Sequence, residues 1–378
     1  MSWSAASATV LRPVAERLLA RAGVRLDGDA PWDIQVNDPR FFARALAQGS
    51  LGFGESYMEG FWDCDRIDEL AVRLLRSRLD EVVPDVPKRA LLSASRVLNL
   101  QSVARAGQVA RAHYDLGNEL FEAMLGPSMV YSCACFRDTA DLDAAQVAKM
   151  DLICDKLGLR AGDRLLDVGC GFGSLLAHAA TRFGCEAIGI TISREQQAYA
   201  ASRLRGTTAR VLLLDYRSDE LARLGPFDKI ASVGMFEHVG ATNYRDFFGV
   251  VRRLLTERGL FLLHTVGNDH SPTDAWLNRH IFPNGMLPST VDLTRAARGL
   301  LVLEDWHNLR ADYDRTLLAW HERFERYAAR AELPRRFYRM WRYYLLSMAA
   351  GFRDGGRNQL WQVVLSKHGV EGGYRAVR

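Results

Sequence analysis

Five short apolar runs, each separated from the next by a stretch of helical spacing, limit what this chain can fold into. They are Arg164 to Val168, Glu186 to Ile190, Arg210 to Leu214, Lys229 to Val233 and Leu260 to His264. Strands that alternate with helices predict a parallel sheet covered on both faces, because parallel neighbours need a long crossover. Leu301 to Asp305 and Gln362 to Ser366 add two further strands, which makes seven. Before the first strand, Val147, Met150, Cys154 and Leu157 form a helical stripe, and Gly158 reads as the helix stop. Ligands of such sheets bind beyond the carboxyl ends of the strands. The turns after the first four strands are therefore expected to carry the chemistry.

The part before this pattern reads differently. Residues 1–85 look like short helices with strand-like interruptions. Gly49, Gly52, Gly54 and Gly60 crowd a loop that carries Leu51, Phe53, Tyr57, Phe61 and Trp62 with an exposed aspect. Residues 86–111 form a basic linker with Lys88, Arg89, Arg96, Arg105 and Arg111 and no acid. A second basic stretch interleaves Arg335, Arg336, Arg339 and Arg342 with Phe337, Tyr338, Trp341 and Tyr343. Such stretches suit an anionic surface, either lipid headgroups or nucleic acid, or else a solvated helix face. The expected organisation is thus an N-terminal domain at 1–85, the linker at 86–111 and a catalytic domain at 112–378.

No apolar run approaches the ~20 residues of a spanning helix. The N-terminus reads as an amphipathic helix, not a signal peptide. Six cysteines include no C-x-x-C pair, so reduced thiols in a cytoplasmic protein are expected and no metal site is.

The first turn reads Asp167-Val168-Gly169-Cys170-Gly171-Phe172-Gly173. Gly169 and Gly171 lack Cβ atoms and let the backbone approach a ligand closely. A dinucleotide turn would space its glycines as G-x-G-x-x-G and place an acid at the end of the second strand. That region here is Gly189-Ile190-Thr191-Ile192-Ser193, without a carboxylate. Thr191 and Gln196, opening the second helix, can instead hydrogen-bond ribose hydroxyls, and Asp215 and Tyr216 after the third strand suit adenine. The turn resembles motif I of class I methyltransferases, which implies S-adenosylmethionine.

Further motifs lie on separate loops: His113-Tyr114-Asp115-Leu116-Gly117-Asn118, Tyr131-Ser132-Cys133-Ala134-Cys135, Gly234-Met235-Phe236-Glu237-His238-Val239-Gly240, Leu262-Leu263-His264-Thr265, Ile281-Phe282-Pro283-Asn284-Gly285, Ala311-Asp312-Tyr313-Asp314 and Leu360-Trp361-Gln362. In this order and spacing the chain resembles cyclopropane-fatty-acyl-phospholipid synthases. The likeness is dense from about residue 110 onward and thinner before it. It implies a Rossmann-like class I methyltransferase sheet, α/β and mostly parallel, behind a smaller, mainly helical N-terminal domain that engages lipid. It also implies an enzyme that alkylates the double bond of unsaturated phospholipid acyl chains, with a bicarbonate ion near the reacting carbon. Carried over residue by residue, the catalytic set is Cys133, Glu237, His264 and Tyr313. The cofactor set is Tyr131, Ser132, Asp167, Gly169, Gly171, Thr191, Gln196, Asp215 and Tyr216. The expected partners are the bilayer phospholipid, the inner membrane surface, to which the protein binds peripherally, and a second copy of the chain in a homodimer, with no nucleic acid. The sequence departs from the family at Cys135 and Phe172, where aromatic residues and tryptophan are common, and at Met348, where some members carry a second cysteine.

The chemistry fits these residues. An alkene needs only close approach to an electrophilic methyl. The resulting cation can rest against an aromatic face such as Tyr313 or Phe236, and it must then lose a proton. Three other readings stay open. One is an enzyme that leaves a methyl or methylene branch, another a small-molecule N-methyltransferase, and the third an inactive lipid-binding protein with the same sheet.

Overall fold

The structure, a computed structural model, describes residues 5–79, 118–268, 274–353 and 357–378. The basic linker at 86–111 and the motif from His113 to Gly117 lie outside the described residues. The chain divides into two compact units. One comprises Met1–Leu98, Pro272–Pro283 and Tyr313–Asn358, and the other Asn99–Ser271, Asn284–Asp312 and Gln359–Arg378. This differs from the single boundary expected near residue 85: two later segments pack with the N-terminal one.

The second unit holds a seven-stranded sheet. Its strands are β3 (Arg164–Val168), β4 (Glu186–Thr191), β5 (Arg210–Leu213), β6 (Phe227–Val233), β7 (Leu255–Asn268), β8 (Val302–Asn308) and β9 (Asn358–Ser366). Their order across the sheet is β5-β4-β3-β6-β7-β9-β8. β3 pairs in parallel with β4 on one side and β6 on the other, β4 with β5 and β6 with β7, while β8 and β9 are antiparallel. All seven strands foreseen from the sequence are present. The central strands read as continuous apolar runs because both faces are covered. Along β7, Phe261 and Leu263 enter one core cluster with Phe227, Phe247 and Phe248, whereas Leu260 and Leu262 enter another with Ile153, Leu157 and Leu176. That alternation is the period of two that a strand imposes.

Helices α5 (Leu142–Leu157), α6 (Ser174–Phe183) and α7 (Arg194–Arg203) belong to this unit, as do α4 (Asn118–Leu125), α8 (Asp219–Leu224), α9 (Tyr244–Leu254) and α11 (Thr290–Ala297). Asp141 caps α5 by accepting from Ala144 N at 2.9 Å. Gly158, in the left-handed conformation, ends it. The stripe on α5 is partly shifted from the expected one. Met150, Cys154 and Leu157 of that stripe are buried, but Val147 is exposed, and the buried face widens on the other side through Gln146, Lys149 and Ile153.

The first unit contains α1 (Ala5–Ala20), α2 (Arg40–Met58), α3 (Ile67–Arg76), α10 (Ala275–His280), most of α12 (Arg310–Ala328) and α13 (Arg335–Phe352). The two-residue strands β1 (Gln35–Val36) and β2 (Trp62–Asp63) pair antiparallel. The expected glycine-rich loop is mostly helix, kinked at Gly49. Gly54 permits close approach: a Cβ there would lie 2.5 Å from Trp276 Cδ1. Its aromatics are core, not surface, since Tyr57, Phe61 and Trp62 are all buried with Phe41 and Phe42. The arginines of α13 are also committed. Arg339 donates to Tyr57 O, Asp63 Oδ1 and Trp62 O, and Arg342 to Tyr57 Oη at 2.7 Å. These two residues crosslink the unit instead of facing an anionic surface; Arg335 and Arg336 remain exposed. No helix among the described residues is long and apolar enough to cross a membrane.

Gly267 in β7 offers a test of the sheet. A Cβ there would lie 1.9 Å from Trp361 Cζ3 in β9. Gly267→Ala is expected to cost ~1–3 kcal/mol in urea unfolding through overpacking. Adding Trp361→Phe, which removes the colliding ring, should recover part of that loss; strictly additive costs would show that the two residues do not meet.

Candidate active site

The chain runs from β3 outward through β4 to β5, then returns to β6 on the other side of β3. Such a reversal leaves a crevice beyond the strand ends. A cavity of about 240 Å³ lies there. Tyr131, Ser132, Asp167, Gly169, Gly171, Thr191, Gln196, Asp215 and Tyr216 all line it.

The glycine turn is anchored by Gly169 N and Cys170 N, which both donate to Ile190 O at 3.0 Å. Both glycines have positive φ, yet for different reasons. A Cβ on Gly169 would lie 2.6 Å from Met235 Cγ, whereas one on Gly171 would meet nothing within 4 Å. Gly169 serves packing, and Gly171 keeps the cavity wall low.

Thr191 ends β4 and does not open the following helix as expected. Ser193 caps α7 instead, its Oγ accepting from Gln196 N at 3.2 Å. Thr191 Oγ1 donates to Gln196 Oε1 at 2.8 Å, so the pair is preorganised. Asp215 is already gripped by Arg217, whose Nε and Nη2 donate at 2.8 and 2.7 Å. Desolvation would raise the Asp215 carboxyl, but this fork keeps it below its ordinary value. The Tyr216 ring meets Phe247 edge-on at 5.3 Å.

The other wall is the segment carrying Tyr131 and Ser132. Arg203 fastens its start, donating to Ser128 O and Pro127 O at 2.8 Å. Met129 there adopts a φ of 52°, an uncommon conformation for a side chain with a Cβ. Ser132 Oγ accepts from Lys149 Nζ at 2.9 Å. Lys149 also lines the cavity and is 2% exposed. The sequence reading missed it, because a stripe drawn through Val147 leaves this lysine off the apolar face. Burial lowers Lys149 to about 8 and raises Asp167 to about 7.

Residues 101–363 match the family described as Mycolic acid cyclopropane synthetase. The chain belongs to this family. Cyclopropane-fatty-acyl-phospholipid synthase of Escherichia coli (strain K12) is 48% identical over 374 residues, covering 97% of this chain and 95% of that one. Tuberculostearic acid methyltransferase UfaA1 of Mycobacterium tuberculosis is 33% identical, covering 93% of this chain and 90% of the relative. The crystal structure of mycolic acid cyclopropane synthase CmaA1 complexed with SAH and CTAB is 31% identical, with a TM-score of 0.62 over 69% of this chain and 98% of that chain. The chain is therefore an enzyme of the S-adenosylmethionine-dependent methyltransferase class, with the class I sheet.

The four catalytic candidates of this cyclopropane synthetase family member are not among the residues lining the cavity. Cys133 is fully buried; its Sγ lies 3.1 Å from Ala134 O and 3.9 Å from Leu309 O. Glu237 sits in a 3-10 turn (Phe236–His238) after β6. Its Oε1 accepts from Val266 N at 2.7 Å, which holds the carboxyl against the stretch of β7 that carries His264. Oε2 is sealed and without a hydrogen-bond partner among the described residues, although Glu237 as a whole is partly exposed. Burial pushes its carboxyl up to about 7. His264 pairs with Val233 in register and lies within β7, not at its end. Gln362 Nε2 donates to its Nδ1 at 3.3 Å, which assigns the ring proton to Nε2. Nε2 has no partner among the described residues, and burial holds the imidazole well below its ordinary pKa. Tyr313 belongs to the first unit, where its ring packs 4.6 Å from Phe352 and edge-on to Trp320. Phe236 is not placed for cation contact: it is fully buried and stacks on Tyr244 at 4.4 Å.

The two cavity glycines should separate by experiment. Gly169→Ala is expected to lower the melting temperature through the Met235 clash. Gly171→Ala should leave a folded protein, strained by ~1–2 kcal/mol, whose affinity for S-adenosylhomocysteine by calorimetry falls because the added methyl enters the cavity. Equal behaviour of the two variants would reject the distinction.

Proposed function

We propose that the enzyme transfers a methylene unit from S-adenosylmethionine to the cis double bond of unsaturated acyl chains in membrane phospholipids, giving cyclopropane fatty acids. The observation that carries this reading is the 48% identity to the Escherichia coli synthase across nearly the whole of both chains. The buried polar atoms near β7 supply its physical rationale.

S-adenosylmethionine, when bound, supplies a methyl carbon electrophilic enough for an alkene to attack. Tyr131, Ser132, Asp167, Gly169, Gly171, Thr191, Gln196, Asp215 and Tyr216 would hold it. The chain itself must exclude water and remove one proton from the alkylated chain so that the ring closes.

The donor set near β7 fits bicarbonate, which would accept that proton. His264 Nε2–H is a donor seeking an acceptor, and Glu237 Oε2 can accept a hydroxyl proton. Bicarbonate bears both a negative oxygen, which His264 Nε2–H would take, and a hydroxyl, which Glu237 Oε2 would take. Glu237, poised at about 7, is suited to take the proton onward. Cys133 would contribute chiefly through its loop, since burial leaves its thiol away from solvent. The role of Tyr313 rests on the resemblance, in which it lies beside the ion.

The reading includes peripheral binding to the inner face of the bilayer, because the substrate chain lies within a membrane, and a homodimer. Flotation with anionic and neutral vesicles at low and high salt tests the electrostatic part. Identical binding in all four mixtures would remove it. The 33% identical tuberculostearic acid methyltransferase motivates a second reading, in which the same cation ends as a methyl or methylene branch.

The main test is incubation with unsaturated phospholipid vesicles and S-adenosylmethionine, then mass analysis of the fatty acids. A gain of one CH₂ that resists hydrogenation denotes a ring, and a branch would show in fragmentation. Turnover is expected to rise with pH through about 7, as the raised Glu237 carboxyl ionises and becomes able to accept a proton. Glu237→Gln should cut turnover by ~10²–10⁴-fold, abolish that inflection and retain S-adenosylhomocysteine binding. An unchanged pH profile in the variant would exclude Glu237 as the acceptor.

A further inference from the structure

Lys149 and Asp167 are a buried cation and a buried acid on one cavity wall that the mechanism above leaves incompletely used. Lys149 is 2% exposed and Asp167 is 2% exposed. Lys149 forms no ion pair among the described residues; its hydrogen bond is to Ser132 Oγ at 2.9 Å. Asp167 Oδ1 has no hydrogen-bond partner among the described residues. Burying a charged group without an ion-pair partner is costly, and proteins seldom leave that cost unmet. The two attract each other across the site but form no ion pair among the described residues, and both line one cavity, so a ligand that carries both signs of charge would suit them.

The hydrogen bond between Lys149 and Ser132 has a direction. An ammonium only donates, so Ser132 Oγ is the acceptor, and its own proton is left to point elsewhere. A hydroxyl polarised by a cation in this way is a strong donor to an anion. Burial lowers Lys149 only to about 8, so the ammonium keeps its proton at neutral pH.

We propose that Lys149 is a positioning residue that selects the zwitterionic amino-acid end of the methyl donor, holding its carboxylate through the Ser132 hydroxyl while Asp167 receives its ammonium group. The proposal rests on the assignment of this cavity to S-adenosylmethionine. It explains why a lysine occupies a face of α5 that is otherwise directed into the core. It also gives the protein a means of rejecting adenosine thioethers that lack the amino acid.

The test compares two ligands by calorimetry, S-adenosylhomocysteine and 5′-methylthioadenosine, the latter sharing the nucleoside but lacking the amino-acid end. Lys149→Met removes the charge at similar volume and is expected to fold, because it also removes a buried ammonium that has no ion pair among the described residues. It should weaken S-adenosylhomocysteine ~10–100-fold, the range of a charge-assisted hydrogen bond, and leave 5′-methylthioadenosine within about twofold. Ser132→Ala should show the same selectivity with a smaller loss. Equal weakening of both ligands would mean a structural role, and no weakening of either would mean no role; each overturns the proposal. Both titrations are repeated with and without added bicarbonate. A loss seen only with bicarbonate would assign Lys149 to the free ion and overturn the proposal too. Failure of the wild-type protein to bind S-adenosylhomocysteine would instead reject the donor cavity itself.

Discussion

Everything in the second unit depends on the double parallel pairing of β3. Asp167 pairs in register with Gly189 of β4 on one side and with Ala231 of β6 on the other. That pairing ends both neighbours at the same level. It lets the chain emerge from three strand ends into one crevice, with the first turn tied to Ile190 O by two backbone bonds. Gly189 itself has no room for a side chain: a Cβ there would lie 2.4 Å from Leu176 Cδ1. The cavity is therefore a product of sheet register before it is a product of any functional side chain.

That register also explains the electrostatics. Strand ends buried on both faces desolvate the groups there, and this burial decides the direction for Asp167, Lys149, Glu237 and His264, whereas Arg217 outweighs it at Asp215. Asp167 and Glu237 are pushed up to about 7, Lys149 is lowered to about 8, and His264 is held well below its ordinary value. The signs have a consequence for stability. A raised carboxyl makes the fold less stable as pH climbs from the ordinary carboxylate range to about 7, and a lowered lysine makes it less stable below its ordinary 10.5, with the full penalty reached below about 8. Near neutrality the ligand-free protein carries both penalties together. A zwitterion that pairs with both groups offsets them, so donor binding and folding stability are coupled.

Much of this was legible in the sequence, and what was not has physical causes. The seven strands announce themselves as short, mostly apolar runs because a doubly covered sheet admits little else. The cavity residues were legible because they lie at strand ends, where position follows from topology. Lys149 was not, since it sits in a helix whose register had to be known to one residue: taking Val147 for the stripe rotates the lysine toward solvent. The Gly49 to Trp62 segment misled in the opposite way. Glycines usually punctuate, but Gly54 lies in a helix because the Trp276 indole, more than 200 positions later, needs the space. Local reading cannot see a partner so distant. The same holds for Arg339 and Arg342, whose charges looked free until the backbone carbonyls of Trp62 and Asp65 came to meet them.

The first unit shows why the N-terminal residues do not form a separable appendage. Arg353, at the end of α13, donates to both oxygens of Asp314 at 3.0 and 3.1 Å and also to Asp68 and Glu69 of α3. Asp314 follows Tyr313, and Phe352, which packs on the Tyr313 ring, precedes Arg353. One guanidinium thus fixes the start of α12 and the end of α13 to a helix from the N-terminal 80 residues. Its planar fork can satisfy three carboxylates at once, which a lysine could not do with the same geometry. If the N-terminal segment were absent, Asp314 would keep its arginine but the arginine would lose half of its anchors. The aromatic contacts that orient Tyr313 would then rest on α12 and α13 alone. The N-terminal part is therefore built into the support of a residue that the family resemblance places in the reaction.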